Sequence, residues 1–318
     1  MQDTPVSKIL VLDNSAVHAP LIKSFCDENH LVPLKVRNGS VMSVLQTNID
    51  LGGILYAEDY GGSPTRNMEI AAKIHATRPE LPIILRREKQ ASLDDLSEQA
   101  RHTFCAAYVA QDMGALRKVI DEYIFCLMYP NALLRGIAEI TESVLKTQCK
   151  ALNVFMETPY IVRDRVIFGE LFSLIQLESS WCRGYMMLQT EEGPFIELLG
   201  GAPDGGSAVT FRDVNDLLSE ITNLIWGAFK NRYIGDMAGK PLTQVQVPLI
   251  VNHKHKYISF GTENPQLCFR FTLSDPESGR STAIYARYVF NLSWSPEDFK
   301  EIPQEVAGLV DSGALEMF

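Results

Sequence analysis

The chain has 318 residues, enough for two hydrophobic cores at the usual domain size of roughly 100 to 200 residues. Its composition, 46% hydrophobic and 21% charged with no low-complexity tract, excludes a disordered chain. A formal net charge of −10 excludes a general nucleic-acid binder, because a phosphate-backbone surface needs clustered Lys and Arg.

The opening MQDTPVSKILVLDNS has a short apolar run that ends in an acid, not the long apolar region of a signal peptide. No segment approaches the roughly 18 consecutive apolar residues of a membrane span, so a cytoplasmic protein without membrane contact is expected. Cys26, Cys105, Cys126, Cys149, Cys182 and Cys268 are scattered without a C-x-x-C pair, mostly in apolar surroundings. They read as free thiols rather than a disulfide framework or a metal site.

From Lys8 the chain alternates short β-rich runs with helical patterns. KILVLD precedes a helix over Leu21–Glu28, PLKV one over Val41–Leu45, and GGILYA one over Met68–Ala76. PIIL is followed by a helix over Leu93–His102, and AAYVA by one over Leu116–Leu127 that Asp112 is placed to cap. Alternation at this spacing predicts βαβ crossovers and a parallel sheet. The runs KILVL, GGILY and PIIL are near-continuously apolar, as strands covered on both faces must be. The expectation is an α/β, flavodoxin-like, doubly wound domain over residues 1–129.

Over about residues 6–128 this pattern resembles a response-regulator receiver domain. The resemblance implies acids after the first strand that hold Mg²⁺, an acceptor Asp after the third, a Ser or Thr after the fourth and a Lys after the fifth. The matching positions here read Asp13-Asn14, Glu58-Asp59, Arg86-Arg87 and Gln111. Gln111 supplies no cation and an arginine is no small hydroxyl, so the receiver chemistry is degenerate. The reading is a pseudo-receiver used as a docking or dimerising surface, at the strand ends where such folds meet ligands and partners.

A helical pattern stops at Met128-Tyr129-Pro130-Asn131, and the proline marks an element boundary, placing a second domain over residues 130–318. It opens with a helix over Leu133–Lys150, followed by a β-rich stretch over Tyr160–Leu199 and a helix over Asp216–Asn231. Strands are then expected over Val245–Ile250, Tyr257–Thr262, Leu267–Leu273 and Ala283–Leu292. FSLIQLESSWCRGYMMLQT and LCFRFTLSDPESGRSTAIYARYVFNL each read as a hairpin with a Gly-containing connection. This half is expected to be α+β with a mainly antiparallel sheet. Ile137–Lys146 lines up with Leu218–Gly227, sharing Glu-Ile-Thr in register, as in a domain built from two helix-plus-hairpin halves. Glu142 stands where the second copy has Asn223.

In the second copy Val214, Leu217, Leu218, Ile221, Leu224, Ile225 and Ala228 form a core-facing stripe. Opposite run Asp216, Glu220, Asn223 and Gly227, and residues three or four apart on a helix project together toward one partner. Gly227 sacrifices about 1 kcal/mol of helix propensity relative to Ala, which suits close approach of another backbone.

The pattern E-x-x-N-x-x-x-G on a long helix, in a pseudo-symmetric α+β domain, resembles the CheC, CheX and FliY chemotaxis phosphatases, CheX most closely, over about residues 130–300. The resemblance implies that Asn223 enters a phosphorylated receiver and orients the attacking water while Glu220 pairs with that receiver's Lys. It also implies that the partner is a separate phosphorylated response regulator carrying its own Mg²⁺, that this domain binds no cofactor, and that the protein is a homodimer. The alternative is a non-catalytic signalling adaptor whose two domains keep only binding surfaces. His253 and His255 are flanked by lysines with no acid or Cys nearby and read as a polar turn or strand edge. Gly200-Gly201 and Gly205-Gly206 lack the spacing of phosphate or dinucleotide loops and read as a flexible loop. Trp181, Trp226 and Trp294 read as core or interface anchors.

Overall fold

The computed structural model describes residues 4–36, 41–48, 50–163, 166–200, 209–234, 250–252, 256–260 and 264–301. His253, His255, Gly201, Gly205, Gly206 and the expected strand residues 245–249 lie outside them.

The first half runs β1 (Ser7–Leu12), α1 (Ala19–Glu28), β2 (Leu31–Lys35), α2 (Val41–Thr47), β3 (Leu51–Ala57), α3 (Pro64–Thr77), β4 (Ile83–Arg87), α4 (Glu98–Thr103), β5 (Ala106–Val109) and α5 (Met113–Tyr123). The five strands are all parallel, in the order β2-β1-β3-β4-β5, so the order reverses direction between β1 and β3. Side chains alternate across the strands. Ile9, Val11, Leu55, Ile84 and Tyr108 pack with α1 and α5 on one face. Leu10, Leu12, Ile54, Tyr56, Ile83 and Leu85 pack with Leu45 of α2, Ala71 and Ile74 of α3 and Ala100 of α4 on the other. A sheet covered on both faces accounts for the near-continuous apolar runs.

Several boundaries move. The helix expected over Leu93–His102 shrinks to α4, because the Ser97 hydroxyl accepts the Ala100 N–H and starts the helix there. Leu93 and Leu96 form a turn against the core instead. Asp112 does cap α5, accepting the Ala115 N–H at 2.9 Å, but the helix ends at Tyr123 rather than Leu127.

The second half continues with α6 (Asn131–Gln148), β6 (Asn153–Met156), β7 (Tyr160–Val162), β8 (Leu171–Glu178), β9 (Cys182–Thr190), α7 (Glu192–Leu199), α8 (Phe211–Phe229), a π-helical turn over Lys230–Ile234, β10 (Ile250–Asn252), β11 (Tyr257–Ser259), β12 (Gln266–Ser274) and β13 (Ser281–Trp294). The main sheet has the order β6-β12-β13-β9-β8 and is antiparallel, with β7 also on β12. The hairpins β8–β9 and β12–β13 therefore lie back to back across the β9–β13 pair, matching the repeat seen in the sequence. Alternate residues Leu267, Phe269 and Phe271 of β12 and Ile284, Ala286, Tyr288 and Phe290 of β13 face α6 and α8. These helices pack side by side, with Ile140-Thr141 and Ile221-Thr222, the shared residues of the repeat, buried in both.

Three details depart from expectation. The stretch expected to be β-rich to Leu199 ends in α7, whose Phe195 and Leu198 turn into the core at helical spacing. The β8–β9 connection is Ser179-Ser180-Trp181, without glycine; the Ser179 hydroxyl accepts the Trp181 and Cys182 N–H groups and closes the turn. Gly184 sits inside β9, where an added Cβ would fall 1.5 Å from the Val289 carbonyl oxygen. The second hairpin does turn through glycine, with Gly279 at φ +70°.

The two sheets meet edge to end. Val6 bridges Tyr160 in parallel, the Ser7 hydroxyl donates to the Ile161 carbonyl at 3.1 Å, and the Arg163 N–H donates to Leu51 O at 3.3 Å. β7 thus covers the amino ends of β1 and β3 and leaves their carboxyl ends open. None of the described helices is long and apolar enough to cross a membrane.

Candidate functional site on helix α8 and the strand-end cluster

Helix α8 starts earlier than its apolar stripe suggests. Thr210 and Asp213 form a reciprocal capping box: the Thr210 N–H and hydroxyl both donate to Asp213 Oδ2 at 2.7 Å, and the Thr210 side chain accepts the Asp213 N–H. The Thr210 hydroxyl and backbone hold the Asp213 carboxyl below its usual range. Val214, Leu218, Ile221, Ile225, Ala228 and Phe229 are buried, and Thr222 returns its hydroxyl to Leu218 O at 2.7 Å.

The opposite stripe is open. Asp216, Glu220 and Asn223 are exposed, and a Cβ added at Gly227 would meet nothing within 4 Å. No side-chain hydrogen bond or ion pair ties Asp216, Glu220 or Asn223 to another described residue. The first copy is occupied. Glu139, the counterpart of Glu220, pairs with Arg232 at 2.9 Å, and Arg232 also binds Glu301. Glu142, the counterpart of Asn223, pairs with Lys146 at 2.7 Å. Of two similar helix faces, one is tied into the fold and the other presents a carboxylate and a carboxamide one turn apart to solvent.

The second group of expected residues gathers at the carboxyl ends of the parallel strands. Asp13 follows β1, Glu58 and Asp59 follow β3, and Arg86 and Arg87 are the last two residues of β4 rather than lying beyond it. Arg86 is only 1% exposed, yet its guanidinium touches three acids. Nε donates to Asp13 Oδ2 at 2.6 Å, Nη2 to Asp59 Oδ1 at 3.2 Å, and Nη1 to the Glu88 carboxylate. Burial opposes its charge, but the hydrogen bonds to Glu88 and Asp13 outweigh it and raise its pKa. Arg87 forks onto Asp95 at 2.5 and 2.8 Å, holding that exposed carboxyl down to about 2, and reaches Glu58 at 3.3 Å.

Local chain geometry fixes these acids. Asp13 Oδ1 accepts the Ser15 N–H at 2.8 Å. Buried Asn67 of α3 donates to Glu58 O at 2.8 Å and accepts the Gly61 N–H at 2.9 Å, pinning the loop that carries Asp59. Asn14 lines a neighbouring hollow with Arg66 and Lys73, and Gln111 is exposed beyond β5; neither touches the arginine network. Glu88 and Asp95 were missed in the sequence. Glu88 lies two residues after Arg86, a spacing that puts both on one side of an extended chain. Among the described residues no group of three or more His, Cys, Asp or Glu is arranged to hold a metal.

No protein-family model matches the chain, and no curated protein does. Among solved structures it is similar to a chemotactic CheC-like protein from Shewanella oneidensis, at 17% identity over 49% of this chain and 97% of that one, with a TM-score of 0.33. It is also similar to the chemotaxis protein CheX from Vibrio vulnificus, at 19% identity over 48% of this chain and 97% of that one, TM-score 0.31. A third likeness is to NtrX from Brucella abortus, solved with ADP, at 13% identity over 45% of this chain and 35% of that one, TM-score 0.29. At these values the likenesses carry no functional argument, and the geometry of the side chains has to supply it.

Proposed function

We propose that the second half, residues 130–318, hydrolyses the aspartyl phosphate of a separate response regulator, while the first half, residues 1–129, acts as a flavodoxin-like pseudo-receiver that docks. Asn223 orients the attacking water, and Glu220 sets register against a lysine on the partner. The observation that carries this reading is the Asn223 carboxamide: exposed on a capped, core-packed helix, next to an exposed carboxylate and an open glycine, with no side-chain partner among the described residues.

The chemistry asks little more of this chain. An acyl phosphate held by the partner's own Mg²⁺ and Lys already has its charge stabilised, so what remains is to place a water in line. A carboxamide both donates and accepts, and so can hold a water by two contacts. A carboxylate at the same position, as Glu142 is in the first copy, would repel the phosphoryl oxygens. Glu220 gains a charge-assisted contact to the partner's lysine, and Gly227, one turn on, removes the side chain that would hold the partner's backbone away. Homodimerisation and a cytoplasmic setting belong to the same reading.

The test mixes the protein with a phosphorylated response regulator and follows loss of the phosphoryl group. Asn223→Ala is expected to slow dephosphorylation by about a hundredfold, the scale of a lost positioning contact, while leaving binding in place. Equal rates for wild type and variant would leave the adaptor reading, in which the open stripe binds without turnover.

A further inference from the structure

Two carboxylates facing one crevice at the carboxyl ends of adjacent strands are the usual makings of a Mg²⁺ site, which takes one or two acids and completes its shell with water and phosphate. The receiver resemblance implies the ion between Asp13 and Asp59. The residues present do not fit it. Each oxygen of Asp13 already accepts a hydrogen bond, Oδ1 from the Ser15 N–H and Oδ2 from Arg86 Nε, and its side chain is 3% exposed. Asp59 shares its Oδ1 with Arg86 Nη2. The space an ion would need between the two acids is spanned by a guanidinium.

We infer that Arg86 is the resident cation of this crevice: it takes the place of a divalent ion between Asp13 and Asp59 and keeps the first half in one state whatever the supply of Mg²⁺ or phosphoryl donor. Three observations carry the inference. The guanidinium belongs to the chain, so it cannot diffuse away, and it stays charged at any physiological pH. It is buried and reaches three carboxylates, so an incoming ion would have to strand a desolvated arginine. The positions matched to a receiver's lysine and hydroxyl supply no free cation to a phosphoryl group on Asp59: Gln111 follows β5, and Arg87 is committed to Asp95 and Glu58. A phosphoryl dianion there would face Glu88 across the same arginine.

The experiment titrates Mn²⁺ into the full chain by electron paramagnetic resonance, and incubates the chain with acetyl phosphate and Mg²⁺ before intact-mass measurement. The wild type is expected to bind no Mn²⁺ at submillimolar concentration and to gain no phosphoryl mass. Arg86→Lys, which keeps a tethered cation, should behave the same way. Arg86→Ser should bind one Mn²⁺ at least about tenfold more tightly than wild type, and adding Asp13→Asn should abolish that gain. Submillimolar Mn²⁺ binding or phosphorylation of the wild type overturns the inference, as does a folded Arg86→Ser that binds no better. If Arg86→Ser does not fold, the wild-type measurements decide alone.

Discussion

The substitution Gly227→Ala separates stability from docking at a single atom. The new Cβ meets nothing within 4 Å, so nothing offsets the gain in helix propensity. Replacing Gly by Ala at a compatible helical position stabilises by about 0.4–1 kcal/mol, largely by restricting the unfolded chain. With a urea slope near 2 kcal/mol/M this moves the midpoint up by about 0.2–0.5 M. The same change at Gly136 on the paired helix α6 should go the other way. There the Cβ would fall 1.5 Å from the Tyr233 hydroxyl and 3.1 Å from the Arg232 guanidinium carbon. Tyr233 is buried and donates to Ala132 O at 3.1 Å, so it cannot simply swing aside, and overpacking of this kind costs about 1–3 kcal/mol. Paired urea melts of Gly227→Ala and Gly136→Ala read both signs. If a partner's backbone approaches α8 at Gly227, the stabilised Gly227→Ala protein should also dephosphorylate a response regulator more slowly. A Gly227→Ala protein that is less stable refutes the open-space argument, and one that is more stable with unchanged turnover refutes the approach at this position.

Three further outcomes follow from the packing and the hydrogen bonds. Thr210→Ala removes one side of the α8 capping box and should lower stability by about 1 kcal/mol, read from the urea midpoint at neutral pH. The Asp213 carboxyl is held below its usual range, so its contribution is complete above the unfolded value near 3.9 and fades as pH falls below it. Urea midpoints from pH 6 down to pH 3 should therefore drop less for Thr210→Ala than for wild type, and parallel curves would speak against the box. Burial pushes the thiols of Cys26, Cys105 and Cys182 up to about 12 and those of Cys149 and Cys268 to about 11, while Cys126 is exposed. An aromatic disulfide reagent at pH 8 should accordingly label Cys126 quickly and the other five only after denaturation; rapid reaction of two or more thiols would show that the cores open more readily than their packing indicates.

The parallel sheet was legible because its physics is local: KILVL, GGILY and PIIL have no polar side, and only a strand covered by helices on both faces tolerates that. The α8 stripe was legible for the same reason, since a 3.6-residue period separates Ile221 and Ile225 from Glu220 and Asn223 without reference to anything distant. Short elements were harder. EGPFIELL has too few turns for its period to show beside a β-rich neighbour, and the Thr210-x-x-Asp213 box went unnoticed because exposed Phe211 and Arg212 interrupt the approach to the apolar stripe.

What no local pattern contains is the partner of a buried charge. Arg86 stood out in the sequence as a basic residue where a small hydroxyl was expected, and from that alone it reads as a loss. Its guanidinium instead closes a bond to Asp13, 73 residues away, and to Asp59, 27 residues away. A buried arginine that follows Ile83, Ile84 and Leu85 in a covered strand has to find acids, because an unpaired buried guanidinium is too costly to keep. The strand ends bring those acids within reach only once the order β2-β1-β3-β4-β5 is set, with β3 between β1 and β4. The two helices pose the complementary case. Glu139 and Glu220 occupy equivalent places in the repeat, yet only Glu139 has an arginine, because the π-helical turn after α8 carries Arg232 back onto α6. The repeat predicts two equal faces, and the turn that follows one of them removes the equality. The result is an α8 face with Glu220 and Asn223 exposed, beside an α6 face whose Glu139 and Glu142 are held by Arg232 and Lys146.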